Sequence, residues 1–246
     1  MKFCDCNCYF GYVGLPAFRY AKNSDELVNE LDFCGIGKAL VYHSSMRFDS
    51  PVVGNKLILE EVRNKPNLIP SWSILPFQTQ ELATSADEFL EEMKKNHIKV
   101  LRAFPDEHRY FLDELTFGHL FELMEDKSIP LFIKSNWETA DKLLKSFKKL
   151  NVVVTSHGPH GQDRYFRPLL EKYENLYIDT SSYILDRGLE SLVENFGYKR
   201  ILFGSGYPEN YFGSSLLRVA QAEIDEEAKK AIACGNLENL LRGAKL

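Results

Sequence analysis

The sequence predicts an α/β fold, a (β/α)8 barrel built as a single domain over residues 1–246. Two observations carry this. Short apolar, β-branched runs alternate with longer amphipathic segments through the whole chain, the pattern of a parallel sheet covered on its outer side by helices. Eight such runs can be counted, and eight strands close a barrel. A chain of 246 residues with 44% hydrophobic and 26% charged residues is an ordinary globular composition of suitable length for one such domain.

The runs, in order, are KFCDCNCYF (2–10), KALVYHS (38–44), NLIPSWSIL (67–75), IKVLRAF (98–104), IPLFIKS (129–135), NVVVTSH (151–157), NLYIDTS (175–181) and RILFGS (200–205). Between them, Asn23 with Glu26 and Ser85 with Glu88 have capping-box spacing, which predicts helix starts near residues 24 and 86. Leu27, Val28, Leu31 and Cys34 then form one stripe, and Gly35 stands where a left-handed C-cap would fall. The other helices are expected over 55–64, 112–127, 137–149, 162–174, 186–197, 213–222 and 225–242. A doubly wound open sheet shares the alternation, but the first turn, CNCYFGYVGLP, lacks the glycine pattern of that fold.

A net charge of −5 without runs of Lys or Arg gives no footprint for nucleic acid, and no apolar run is long enough for a bilayer. Small molecules are the expected partners, anionic ones in particular, and the protein is read as cytoplasmic. Five cysteines, three of them crowded at Cys4, Cys6 and Cys8, imply no disulfide framework. Side-chain alternation places those three together on the outer face of the first strand, with Asp5, Asn7 and Tyr9 inward.

Catalytic groups of a barrel come from the carboxyl ends of its strands. Those ends offer Asp5, Asn7, Tyr9, His43, Ser73, Arg102, Lys134, His157, Asp179, Ser205 and Gly206. His157 could move a proton near neutral pH or simply hydrogen-bond in a polar cavity. Asp179 could orient His157 or pair with Lys134. Lys134 could act as base or nucleophile, or supply a compensating cation. Arg102 could clamp a carboxylate or phosphate, or pair with Asp106 or Glu107 at the rim. His43, His108 and His160 are further candidates for ligand contact.

The segments DCNCY, SHGPHG, LYIDTSSY, RILFGSGYP and GNLENLL occur in the order of corresponding segments in the amidohydrolase-related hydrolases. RYFRPLLEKYENLYIDTSSY and ELDFCGIGKALVY also resemble that family, so the similarity runs over nearly the whole chain. The resemblance implies the barrel and hydrolase-type chemistry on small molecules. It also implies a divalent metal, usually zinc, held by two strand-one histidines, a strand-five histidine and a strand-eight aspartate. Those positions here carry Asn7, Tyr9, Lys134 and Gly206, while His157 matches the strand-six histidine. The expected function is therefore hydrolase or lyase chemistry centred on His157, with Asp179 and Lys134 beside it, Asn7, Tyr9, His43 and Arg102 binding substrate, and no metal or other cofactor. A non-catalytic ligand-binding barrel is the alternative. A metallohydrolase using other ligands, such as Asp5, His43, His157 and Asp179, is a second.

Overall fold

The computed structural model describes residues 1–12, 19–158 and 161–246. All eight expected strand runs contain strand, and every neighbouring pair is parallel. The strands are β1 (Phe3–Phe10), β2 (Ile36–His43), β3 (Leu68–Pro70), β4 (Trp72–Ser73), β5 (Leu101–Ala103), β6 (Leu131–Lys134), β7 (Val152–Thr155), β8 (Leu176–Asp179) and β9 (Ile201–Leu202). The third run is split into β3 and β4. Pro70 has no N–H to offer, and the chain changes partner at Ser71, whose amide donates to Val41 O while that of Trp72 donates to Val100 O. The barrel closes where Cys6 N donates to Phe203 O, Gly206 N to Asn7 O and Tyr9 N to Tyr207 O.

The helices are α1 (Ser24–Phe33), α2 (Ser45–Phe48), α3 (Pro51–Glu61), α4 (Ala86–Lys95), α5 (Pro105–His108), α6 (Glu114–Lys127), α7 (Trp137–Ser146), α8 (Asp163–Lys172), α9 (Gly188–Phe196), α10 (Phe212–Ala220), α11 (Glu226–Lys230) and α12 (Asn236–Gly243). Asn23 and Ser85 cap α1 and α4 by accepting from the amides of Glu26 and Glu88. The Glu26 and Glu88 carboxylates reach one residue beyond the cap, to Lys22 N and Thr84 N. α3 starts earlier than expected because Ser50 caps it and Pro51 fills its first turn. The last expected helix is divided by a π-helical turn at Ala231–Gly235. The short α2 and α5, absent from the sequence reading, lie beyond the carboxyl ends of β2 and β5.

β1 departs from simple alternation. Asp5 pairs with Ala39 and Cys8 with Val41, so Cys6 and Asn7 together face Leu40 in a β-bulge. Cys4 and Cys6 consequently lie inside the barrel with Leu40, Val100, Phe132, Val153 and Leu202, and Cys234, Leu237 and Leu240 close this apolar interior from below. The expected outward face is thus wrong for Cys4 and Cys6, and right for Cys8, which follows Val41. A disulfide joins Cys4 to Cys234, correcting the reading that no disulfide forms; Cys6, Cys8 and Cys34 are free. No helix among the described residues is long and apolar enough to cross a membrane.

Candidate functional site

Above the apolar interior the barrel turns polar within one pleat. Arg102, at 2% exposure, projects from β5 into the tube. Its Nε donates to Ser71 Oγ (2.9 Å) and its Nη2 to Cys6 O (2.8 Å). The guanidinium carbon lies 4.8 Å from the ring centres of both Tyr42 and Phe132. Burial weakens the hold on its proton, and the Tyr42 ring and Asp179 partly compensate. Arg102 is therefore not a rim residue, and Glu107, one of its expected partners, is engaged by Arg47.

Asp179 ends β8 with its carboxylate buried. Oδ2 accepts from Asn7 Nδ2 (2.9 Å) and Oδ1 from Ser156 N (3.1 Å); Asn7 Nδ2 also donates to Ser156 Oγ (3.1 Å). These donors are neutral, and burial raises the proton affinity of Asp179. Asn7 reaches Asp179 because the β1 bulge turns it inward. Gly204 leaves room for the carboxylate, since a Cβ there would stand 2.6 Å from Asp179 Oδ2.

His157 does not join this group. Ser156 has a left-handed backbone (φ 54°), which ends the alternation of β7 and carries His157 behind β8. Its Nε2 donates to the Asp179 carbonyl (2.7 Å), and Trp137, Phe166 and Tyr183 enclose its ring. Nε2 therefore bears the proton, and Nδ1 has no hydrogen-bond partner among the described residues. Burial pushes the imidazole pKa down.

The remaining expected residues are spread around the mouth. Tyr9 donates to Glu209 (3.4 Å) and packs on Tyr42 at 4.8 Å, and burial makes its phenol harder to ionise. Lys134 is exposed and lines a separate cavity of about 180 Å³ with Phe104, Asp106 and Asn136. His43 accepts at Nδ1 from Ser45 N (3.2 Å) and meets Phe10 edge-on; burial lowers its pKa. His108 donates from Nε2 to Met46 O (2.8 Å), and His160 lies outside the described residues. The structure thus unites Asn7 and Asp179 in direct contact and sets Lys134, His43 and the His157 ring apart from them. Asp5 lies on the other side of β1, where Oδ1 accepts from Asn7 N and Ser205 N and burial pushes its pKa up to about 6.

Sequence reasoning missed a clamp over the mouth. Arg47 of α2 binds Glu107 of α5 (2.6 Å) and Glu209 after β9 (2.5 Å), joining three loops. Its signal was weak: one arginine in SSMRF and one glutamate after GYP. Among the described residues, the His, Cys, Asp or Glu group whose donor atoms converge within 4.8 Å is Cys4, Cys234 and Glu238, at the opposite end of the barrel. Asp5, His43, His157 and Asp179 form no such group.

A family model for amidohydrolases matches residues 53–243, more than half of the chain. The chain belongs to the amidohydrolase family. No curated protein matches it. Among solved structures, this chain is similar to an uncharacterised TIM-barrel protein from Bordetella bronchiseptica, with a TM-score of 0.74 and 19% identity over 99% of each chain. It is also similar to a dihydroxybenzoic acid decarboxylase from Polaromonas sp. JS666 with bound manganese and 2-nitroresorcinol (TM-score 0.77, 16% identity, 98% of this chain and 97% of that one). A putative 2-pyrone-4,6-dicarboxylic acid hydrolase from Pseudomonas putida gives a TM-score of 0.73 at 14% identity, covering 98% of this chain and 97% of that one. At these identities the likeness establishes the fold, a TIM barrel.

Proposed function

We propose that this chain is a metal-independent hydrolase or lyase acting on a small anionic molecule, with proton transfer by the Asp179 carboxylate and with His157 holding that residue in position. The observation that carries the reading is the Asp179 carboxylate: buried at a strand end, bound by neutral donors, and raised in proton affinity by burial. Such a group can hold and release a proton closer to neutrality than an ordinary carboxylate. His157 acts behind it, fixing the end of β8 through the Asp179 carbonyl. Arg102 supplies the buried positive charge that favours an anion at the mouth, and Lys134 attracts anions at its edge.

The metal-free part of the reading is supported by the donors at the family's ligand positions. Asn7 turns an N–H, not an oxygen, toward Asp179. The Tyr9 hydroxyl keeps its proton and donates a hydrogen bond to Glu209. Lys134 is exposed, and Gly206 has no side chain. A dication needs three or four lone pairs converging on it, and this set does not fit one.

Turnover of aromatic and pyrone carboxylates, the compound classes named for the neighbours, tests the proposal. Activity is expected to persist in a chelator and to fall by about 100-fold or more in kcat for Asp179→Asn. Activity that needs added manganese or zinc, or that is unchanged in both Asp179→Asn and His157→Ala, overturns it. The clamp of Arg47 on Glu107 and Glu209, with Tyr9, Tyr42 and Phe104 packed beneath, favours a second reading, a non-catalytic ligand-binding barrel. Saturable binding of these carboxylates with no turnover under any metal condition would select it.

A further inference from the structure

At the floor of the barrel, the Cys4–Cys234 disulfide joins the first strand to the π-helical turn before the last helix, with Cα atoms 4.5 Å apart. The Glu238 carboxylate comes within 4.8 Å of both sulfurs. Lys2 and Lys38 both bind its Oε1, at 3.2 and 3.4 Å. The cysteines themselves are buried, but the side chains of Lys2, Lys38 and Glu238 are 56%, 41% and 36% exposed, so the carboxylate that borders the pair meets solvent.

We propose that Cys4 and Cys234 form a reversible dithiol–disulfide pair, a redox modification site that small thiols and disulfides open and close. In reduction, a small thiolate attacks the Cys234 sulfur. The S–S bond breaks, a mixed disulfide forms on Cys234, and the electron pair leaves on Cys4, which takes a proton from water. A second thiolate attacks the outer sulfur of the mixed disulfide and releases Cys234, which is also protonated. The protein gains two electrons and two protons, and two small thiols become one small disulfide. Lys2 and Lys38, bound to Glu238, offset the carboxylate charge near the sulfurs that would otherwise oppose a thiolate as leaving group and as nucleophile in the return reaction.

The other interior thiols do not compete. Cys6 lies in the same interior cluster and Cys8 behind β1, and burial holds both firmly protonated. Among the interior thiols, oxidation is thereby confined to the pair. Its state reaches the mouth along β1, because Cys4 is two residues from Cys6, whose carbonyl accepts from Arg102. Opening the bond removes the covalent tie between the first strand and the π-helical turn, and with it one constraint on that carbonyl. This inference does not depend on the proposed activity.

The folded, full-length protein is equilibrated with glutathione and glutathione disulfide at graded ratios, quenched, unfolded and titrated for thiols. The oxidised form should show three thiols, Cys6, Cys8 and Cys34, and the reduced form all five, with the same curve approached from either side. Reduction should lower Tm by roughly 10 °C, since the bond closes a loop of more than 200 residues. It should also speed hydrogen exchange in residues 3–10 by about 10-fold or more, and Cys4→Ser and Cys234→Ser should each abolish the glutathione dependence of Tm. Five free thiols at every ratio would overturn the proposal. So would a disulfide that yields only after unfolding, which is a permanent staple. Zinc taken up stoichiometrically by the reduced protein, weakened in Glu238→Gln and blocking reoxidation, would replace it with a metal site.

Discussion

At the floor of the barrel, Cys4, Leu40, Leu237 and Leu240 fill the tube with apolar side chains, while at the mouth the same tube is filled by Arg102, Asp179 and Asn7. Both sets of side chains are buried, yet the requirements differ. The floor needs matching volume, and its stability comes from removing apolar surface from water. The mouth needs partners for its buried polar atoms, and it supplies those of the Asp179 carboxylate by bending the backbone: a bulge brings in Asn7, and the left-handed Ser156 offers its amide. The difference teaches that the mouth carries the molecule's sensitivity to charge and pH, and the floor its sensitivity to side-chain volume and, through Cys4 and Cys234, to redox state.

The sharpest break of this contrast is Arg102→Met. It keeps most of the volume but removes both hydrogen bonds and the charge that faces Asp179. Denaturant unfolding should show a loss of about 3–5 kcal/mol, the scale for one partner removed from a buried charge arrangement. A loss below about 1 kcal/mol would mean that the guanidinium is merely tolerated there.

The next test separates the ends by pH. The Asp5 pKa is raised in the folded state to about 6, so between its ordinary value and about 6 the native chain holds a proton that the unfolded chain has lost. This group therefore favours folding in acid, and its contribution disappears as pH rises through about 6, by up to roughly 3 kcal/mol. His157 has the opposite sign: its folded pKa is lowered by burial, so its contribution is lost as pH falls through the ordinary imidazole value. Asp5→Asn should shrink the falling limb between about pH 4 and 6, leaving the share of Asp179, whose proton affinity burial also raises, and the histidine limb, as read from urea midpoints across pH. An unchanged profile would sink the assignment to Asp5.

A smaller effect is expected from paired glycine substitutions. Gly204→Ala places a Cβ against the Asp179 carboxylate and should cost about 1–3 kcal/mol by thermal unfolding. Gly243→Ala, at the end of α12 with nothing within 4 Å of the added Cβ, should change stability by no more than about 0.5 kcal/mol. Equal costs would mean that Asp179 yields freely and that its surroundings are not tightly organised.

The eight strands were legible because apolar, β-branched runs separated by capped amphipathic segments leave few alternatives to a closed parallel sheet. The mouth was legible only as a set of strand-end residues. Period-two reasoning placed Asn7 inward correctly but put Cys4 and Cys6 on the wrong face, since a bulge adds one residue that no alternating pattern announces. The same reasoning placed His157 beside the Asp179 carboxylate, whereas the left-handed turn at Ser156 sends it to the Asp179 carbonyl. Lys134 was expected inside and stands exposed, because β6 ends at that residue. The partner of Cys4 lies 230 residues away, and spacing carries no information over that distance.

The Cys4–Cys234 bond also changes how the molecule bears load. A pull applied outside these two residues passes directly from the first strand into the π-helical turn before α12, and the 229 residues between them carry no tension while the bond is intact. The oxidised protein can pay out only chain that lies outside the loop closed by Cys4 and Cys234. The reduced protein instead places the full force on the β1–β9 seam, at the hydrogen bonds from Cys6 to Phe203 and from Tyr9 to Tyr207. The barrel is mechanically a closed ring in one state and an unzippable sheet in the other.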